Sequence, residues 1–218
     1  MISEVKNNVY QVIGTGSDGN AVLYHNSILV DCGVSFKAIM PVLKDIKIIL
    51  LTHSHSDHIK VSTLDKIQEL RPTVKIAGPE WMAKYVFHLR NVFIFEPDKY
   101  YRFGKYMISP FELTHNVPNV GYRIYKGNPV TYRIFHATDT AHLDGIIAKN
   151  YDLYAIEHNY DQERIEALID EKKEKGQFAY EHRALNSHLS EEKAIEFIHK
   201  NHKKSSQVLR LHESSNTL

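Results

Sequence analysis

The chain has 218 residues, 43% hydrophobic and 24% charged, which suits one globular, water-soluble domain over residues 1–218. Lys plus Arg number 27 against 26 for Asp plus Glu, so the overall charge argues against a large nucleic-acid footprint. The single cysteine, Cys32, excludes an internal disulfide and fits a reducing compartment, so a cytoplasmic location is expected. Met1 to Tyr10 is polar and mixed in charge, unlike a signal peptide. No apolar run approaches the ~20 residues of a membrane helix, so no membrane partner is expected. The unusual count is 14 histidines.

In chain order, Val9 to Ile13 reads as a short strand. Gly14-Thr15-Gly16-Ser17-Asp18-Gly19 then spells G-x-G-x-x-G. A dinucleotide fingerprint needs a helix to open there, with its N-terminus on the pyrophosphate. Asn20 to Tyr24 instead reads as another strand, so the glycines are expected to form a hairpin turn. Ser27 to Val30 is apolar and is followed by Asp31-Cys32-Gly33, where an Asp before Gly suits a turn. Cys32 is expected as a small core residue. Ser35 to Lys44 reads as a short helix interrupted at Pro41.

Ile46 to Leu51 is a β-rich apolar run that reads as a buried strand. It leads into Thr52-His53-Ser54-His55-Ser56-Asp57-His58. Imidazole and carboxylate lone pairs at His53, His55, Asp57 and His58 suit Zn, Mn or Fe. His53 and His55 can turn toward one point, and Asp57 and His58 toward a second. One cation does not need all four, and four are too few for two. Further ligands are therefore expected downstream. This His-x-His-x-Asp-His pattern after an apolar strand resembles the metallo-β-lactamase fold superfamily. The resemblance implies a four-layer αββα sandwich of two mixed β-sheets flanked by helices. It gives Asp31 a supporting role, hydrogen-bonded to the metal loop without being a ligand, and leaves the glycine turn a minor substrate role.

Ser62 to Leu70 reads as a helix, with Leu64, Ile67 and Leu70 at helical spacing and Arg71-Pro72 as its stop. Val74 to Ala77 is a strand. The segment after Gly78-Pro79, with Trp81, Met82, Tyr85, Val86 and Leu89, is expected as a helix whose aromatic stripe is core. Val92 to Phe95 and Tyr106 to Ser109 are further strands. Phe111 to His115 is a strand ending in histidine, then a loop, then Gly121 to Tyr125. The resemblance makes His115 a ligand. Thr131 to Phe135 is a strand followed by His136-Ala137-Thr138-Asp139, and the resemblance makes Asp139 a carboxylate bridging two metals. His136 and His142 are read as bystanders. Tyr151 to Ile156 is a strand ending in Glu157-His158-Asn159. Asp161 to Lys175 is a charged helix stopped by Gly176, and Phe178 to Ala184 reads as loop. Ser190 is a good N-cap for the helix that follows. Gln207 onward is a strand that reaches His212 and Ser215, and the resemblance makes His212 the last ligand.

The implied cofactors are two divalent metal ions, Zn or Mn, which would activate water at neutral pH. His53, His55 and His115 would hold one. Asp57, His58 and His212 would hold the other, with Asp139 between. Asp57 also stands among the catalytic residues. Phosphodiester cleavage expels an alkoxide that benefits from a proton. Glu157, after a strand, and His188, in Ser187-His188-Leu189-Ser190 before a helix, resemble the paired proton-transfer motifs of ribonuclease Z-type enzymes. The resemblance thus points to the phosphodiesterase branch, with ribonuclease Z-like and WalJ-like proteins. Two departures stand out. Ile59-Lys60-Val61 replaces the Gly common after the His cluster, and no long basic Gly/Pro-rich arm for transfer RNA is visible. Compactness and near-neutral charge favour a small nucleotide, with cyclic 3′,5′-mononucleotides first, as for the compact phage anti-Pycsar proteins of this branch. Tyr122 or Tyr160 would stack its base. A DNA or RNA nuclease is the alternative, and a thioester, ester or lactam hydrolase a third. Relatives are commonly dimers, so a homodimer is expected.

Overall fold

The computed structural model describes residues 9–179 and 181–213. Most of the Met1–Tyr10 segment, and the Ser214–Ser215 end expected for the last strand, lie outside the described residues. The chain divides into two compact units, Met1–Ile94 and Phe95–Leu218.

The first unit is a six-stranded mixed sheet. β1 (Tyr10–Gly14), β2 (Ala21–Tyr24) and β3 (Ile28–Val30) pair antiparallel. β4 (Ile48–Leu50), β5 (Lys75–Gly78) and β6 (Val92–Ile94) then add in parallel. Parallel neighbours need crossovers, and helical segments supply them. α1 (Phe36–Ile39) with a 3-10 turn at Met40–Val42 precedes β4, and α2 (Val61–Leu70) precedes β5. Every residue of β2, β3 and β4 is buried, as expected of strands covered on both faces. α2 turns Leu64 and Ile67 into the core formed by Leu23, Leu29, Ile49 and Ile76. Each of those two side chains contributes about 1.5–3 kcal/mol by leaving water.

The second unit is also a six-stranded mixed sheet. β7 (Tyr101–Phe103), β8 (Tyr106–Leu113), β9 (Asn119–Lys126) and β10 (Tyr132–Ala137) are antiparallel. β11 (Leu153–Glu157) and β12 (Gln207–Leu211) continue in parallel with β10. Asp139, Glu157 and His212 consequently leave the sheet at one edge, the carboxyl ends of adjacent strands. Open α/β sheets place their ligands at that edge. Three helices link β11 to β12: α4 (Gln162–Glu174), α5 (His182–Ser187) and α6 (Glu191–Asn201). Asp161 caps α4 by accepting from Arg164 N at 2.7 Å, and Ser190 caps α6 by accepting from Lys193 N at 3.3 Å. Gly176, at φ 64°, provides the left-handed residue beyond the end of α4.

Some local expectations change. The Gly78–Leu89 segment forms only a 3-10 turn at Glu80–Met82 and a four-residue helix, α3 (Ala83–Val86). Tyr106–Ser109 and Phe111–Leu113 are one strand. Pro110 sits inside it opposite Tyr122, and its carbonyl accepts from Asp98 N at 2.8 Å. The three-residue β7 was not expected, and α5 begins inside the segment read as loop.

Candidate metal centre

In the first unit, the His cluster is the loop leaving β4, and it is pinned from the Asp31–Gly33 segment. Asp31 N donates to Leu50 O, and Cys32 N donates to His58 O at 2.9 Å. Lys60 N returns a bond to Cys32 O at 2.9 Å. Gly33 is required by closeness: a Cβ there would lie 1.6 Å from Asp57 O and 2.7 Å from His58 N. Asp31, held at φ 61°, points its carboxylate into this loop. Its Oδ1 accepts from Thr52 N at 2.9 Å, and its Oδ2 lies 2.7 Å from His58 Nδ1. Burial raises the pKa of Asp31, while His58 and Thr52 oppose that rise. The contact assigns the His58 proton to Nδ1 and turns the Nε2 lone pair toward the cluster.

The donor atoms of the loop converge. His53 Nε2 and His55 Nδ1 are 3.2 Å apart, and His58 Nε2 and Asp57 Oδ2 are 3.4 Å apart. Ligands placed ~2.0–2.1 Å from a tetrahedral cation are separated by roughly 3.3 Å. His53 and His58 are wholly buried. Thr52 Oγ1 lies 3.0 Å from His53 Nδ1, which again leaves Nε2 outward. The residues present therefore fit a cation.

In the second unit, Asp139 follows β10 at φ 56° and His212 follows β12 at φ 51°. Left-handed non-glycine residues are uncommon, and two at the ends of the strands that flank β11 mark a constrained site. Asn119 holds the Asp139 backbone by donating from Nδ2 to the carbonyls of Thr138 and Asp139, at 2.9 and 2.7 Å. Asp139 Oδ1 lies 3.5 Å from His212 Nε2 and 3.4 Å from His188 Nδ1. Asp139, Glu157, His188 and His212 each bring one ligand-type atom to within 4.8 Å of the others. His115 Nδ1 donates to Ser187 O at 2.7 Å, so its Nε2 is the atom left to ligate. Asn159 braces His212, with Nδ2 at 2.8 Å from Nδ1 and 3.0 Å from the carbonyl.

Glu157 is fully buried and binds three groups. Oε1 lies 2.5 Å from His188 Nδ1, while Oε2 accepts from Thr140 N at 3.0 Å and Leu189 N at 3.2 Å. Burial opposes charge on His188, but the Glu157 hydrogen bond and the Glu157 and Asp139 carboxylates outweigh it and raise its pKa. The pair can hold a proton next to the Asp139 carboxylate.

The sequence matches the family described as “Beta-lactamase superfamily domain” over residues 26–209. The chain belongs to the β-lactamase superfamily. Its two mixed sheets with their helices match the metallo-β-lactamase α/β sandwich. That fold usually binds divalent metals, and the His/Asp clusters described here could hold them. Exodeoxyribonuclease WalJ of Streptococcus pneumoniae is 29% identical over 175 residues, covering 71% of this chain and 63% of WalJ. The match thus spans less than two thirds of that relative. Ribonuclease Z of Agathobacter rectalis is 27% identical over 119 residues, 45% of this chain and 39% of its own. The metallo-β-lactamase fold protein YhfI of Bacillus subtilis superposes with a TM-score of 0.72 at 19% identity, covering 96% of this chain and 87% of YhfI. Among the described residues, no helix is long and apolar enough to cross a membrane.

Each unit of this superfamily member thus gathers its own share of the expected residues. The first brings His53, His55, Asp57 and His58 together, and the second brings Asp139, Glu157, His188 and His212 together. Tyr122 and Tyr160 are wholly buried, which removes both as base-stacking residues. The glycine turn serves to place Asn20, which sequence reasoning missed. Its Nδ2 lies 2.9 Å from His58 Nε2 and 3.2 Å from Asp57 Oδ2. Thr52, Asn119 and Asn159 were missed as well. Their only sequence signal was a polar residue at, or two positions beyond, a strand terminus.

Proposed function

We propose that this chain is a metal-dependent phosphodiesterase, with the two units acting as one hydrolase domain. The Glu157–His188 contact of 2.5 Å beside Asp139 carries the reading. An alkoxide leaving group needs a proton, whereas a thiolate does not, so a buried carboxylate holding a histidine proton favours a phosphodiester over a thioester. His188 delivers the proton, and Glu157 fixes and stabilises the charged ring.

The ligand assignment is part of the proposal. His53, His55 and His115 would hold one cation, Asp57, His58 and His212 would hold a second, and Asp139 would serve both. The nitrogen and oxygen donor set suits Zn or Mn. When bound, such cations supply Lewis acidity toward a phosphoryl oxygen and activate water near neutral pH. Asp31 keeps the His58 ring aimed, and Asn159 braces His212.

For the substrate, the relatives named exodeoxyribonuclease and ribonuclease Z support a DNA or RNA strand. A cyclic 3′,5′-mononucleotide is the second reading, favoured by the near balance of 27 basic and 26 acidic residues. The test is to incubate the Mn- or Zn-supplemented protein with bis(4-nitrophenyl) phosphate, end-labelled single-stranded DNA and cyclic mononucleotides. Release of nitrophenol and shortening of the DNA are expected. Linear monophosphates with intact DNA would transfer the assignment to the cyclic substrates. No hydrolysis of any of the three would refute the phosphodiesterase reading.

A further inference from the structure

The second sheet leaves part of one face open. Arg102 on β7, Met107 on β8, Tyr125 on β9 and Arg133 on β10 stand opposite one another in register, so their side chains share that face. Farther along the same face, the rings of Phe111 and Phe135 stack at 4.9 Å, and Phe197 of α6 covers them, 5.4 Å from Phe135. The row itself stays open: Arg102 and Arg133 are exposed, and Met107 and Tyr125 are half-buried. Tyr100, just before β7, adds a ring that is 61% exposed and lies 6.3 Å from that of Tyr125. Tyr151 holds Tyr125 from behind, hydroxyl to hydroxyl at 2.7 Å.

The charges on this face do not balance. Arg123, one row nearer the site, lies 4.4 Å from the Phe111 ring centroid and pairs with Asp98 at 3.4 Å. At the margin, Asp152 accepts from Arg133 N and pairs with Lys203 at 2.5 Å. Among the described residues, the side chains of Arg102 and Arg133 have no ion-pair partner. The excess over Asp98 and Asp152 is therefore these two arginines, at the two ends of a row about 14 Å wide. Free cations flanking open aromatic rings suit single-stranded nucleic acid, whose phosphates seek the cations and whose bases stack on the rings whatever the sequence. The same excess disfavours a second copy of this chain, which would set like charges against each other.

We infer that this face is a track for single-stranded nucleic acid, with phosphates on Arg102 and Arg133 and bases on Tyr100 and Tyr125. Arg133 and Asp139 are joined by β10, a separation of roughly 20 Å for extended chain. The track thus grips the strand away from the bond that is cleaved, and its residues take no part in the chemistry. The inference rests on the nucleic-acid reading above.

The test uses the double variant Arg102→Gln/Arg133→Gln and the single variant Tyr100→Ala in the full chain. All three side chains are exposed, so the fold should tolerate both. Binding of a fluorescein-labelled oligothymidylate of about 20 nucleotides is followed by anisotropy over a series of salt concentrations, without added metal so that the strand is not cut. The double variant should bind about tenfold more weakly. Its slope of log affinity against log salt should be shallower by about 1.4, the value for two lost phosphate contacts on a single strand. Tyr100→Ala should also lose about tenfold, with the wild-type slope, as a lost stacking contact does. Both should hydrolyse bis(4-nitrophenyl) phosphate like wild type when metal is supplied, because that diester is too small to reach the track. Affinity within twofold of wild type in either variant, an unchanged slope in the double variant, or no binding by wild type overturns the track. Wild type that ignores the oligonucleotide but self-associates in sedimentation, with the association lost in Tyr100→Ala, assigns the face to a second copy instead. Absence of small-diester hydrolysis in wild type is a separate result, and it refutes the phosphodiesterase reading.

Discussion

At the scale of single residues, His188 and Asp31 separate two tasks that a histidine-rich site combines. His188 Nδ1 lies 2.5 Å from Glu157 Oε1, while Asp31 Oδ2 lies 2.7 Å from His58 Nδ1 and fixes its ring. His188→Ala should slow cleavage of end-labelled single-stranded DNA, whose leaving group is an alkoxide, by about 10²–10⁴-fold, and hydrolysis of bis(4-nitrophenyl) phosphate far less, while leaving metal content at the wild-type level. Metal loss in that variant would make His188 a ligand and not a proton donor. Asp31→Asn should act in the opposite way. Its amide can still accept from Thr52 but no longer offers a carboxylate to His58 Nδ1. Metal affinity, measured by chelator competition, should fall about 10–100-fold, the usual cost of losing a group that orients a ligand. Unchanged affinity would remove Asp31 from the site.

At the scale of elements, the cluster in each unit is built where strands end. β4 delivers the His53–His58 loop, while β10, β11 and β12 deliver Asp139, Glu157 and His212 from adjacent parallel positions. The fit of Gly33 against Asp57 and His58 is what fixes the first loop. Gly33→Ala places a methyl 1.6 Å from Asp57 O, so backbone must move. Calorimetric unfolding should show a loss of about 1–3 kcal/mol or more, as overpacking does, together with reduced metal binding. A variant with wild-type stability and metal content would show that the loop is not held there. Candidate residues were legible in the sequence where an apolar strand runs into His, Asp or Glu, as at His53, His115, Asp139, Glu157 and His212. The supporting residues were not. Asn20 reaches His58 across 38 positions, and Asn159 reaches His212 across 53, distances over which local pattern carries no signal. Tyr122 and Tyr160 were misjudged for a related reason. Tyrosine on a strand or loop looks the same in sequence whether it faces solvent or core, and tertiary packing decides.

At the scale of the whole molecule, the sequence match covers residues 26–209, which takes in β3 to β11 and the start of β12 and so reaches into both sheets. Cys32 offers an independent probe of the first unit. Burial, with Asp31 adding to it, pushes its thiol up to about 12. Below that value the thiol stays protonated, so Ellman's reagent at pH 8 should react only after the protein is unfolded. Prompt reaction of the folded protein would contradict the buried placement. The central claim, that the chain holds a pair of cations, is tested most directly by elemental analysis of protein purified without chelator and dialysed against Mn or Zn. About two transition-metal ions per chain are expected, with parallel loss of metal and of bis(4-nitrophenyl) phosphate hydrolysis on chelation. No stoichiometric metal, or hydrolysis that survives its complete removal, would contradict the account.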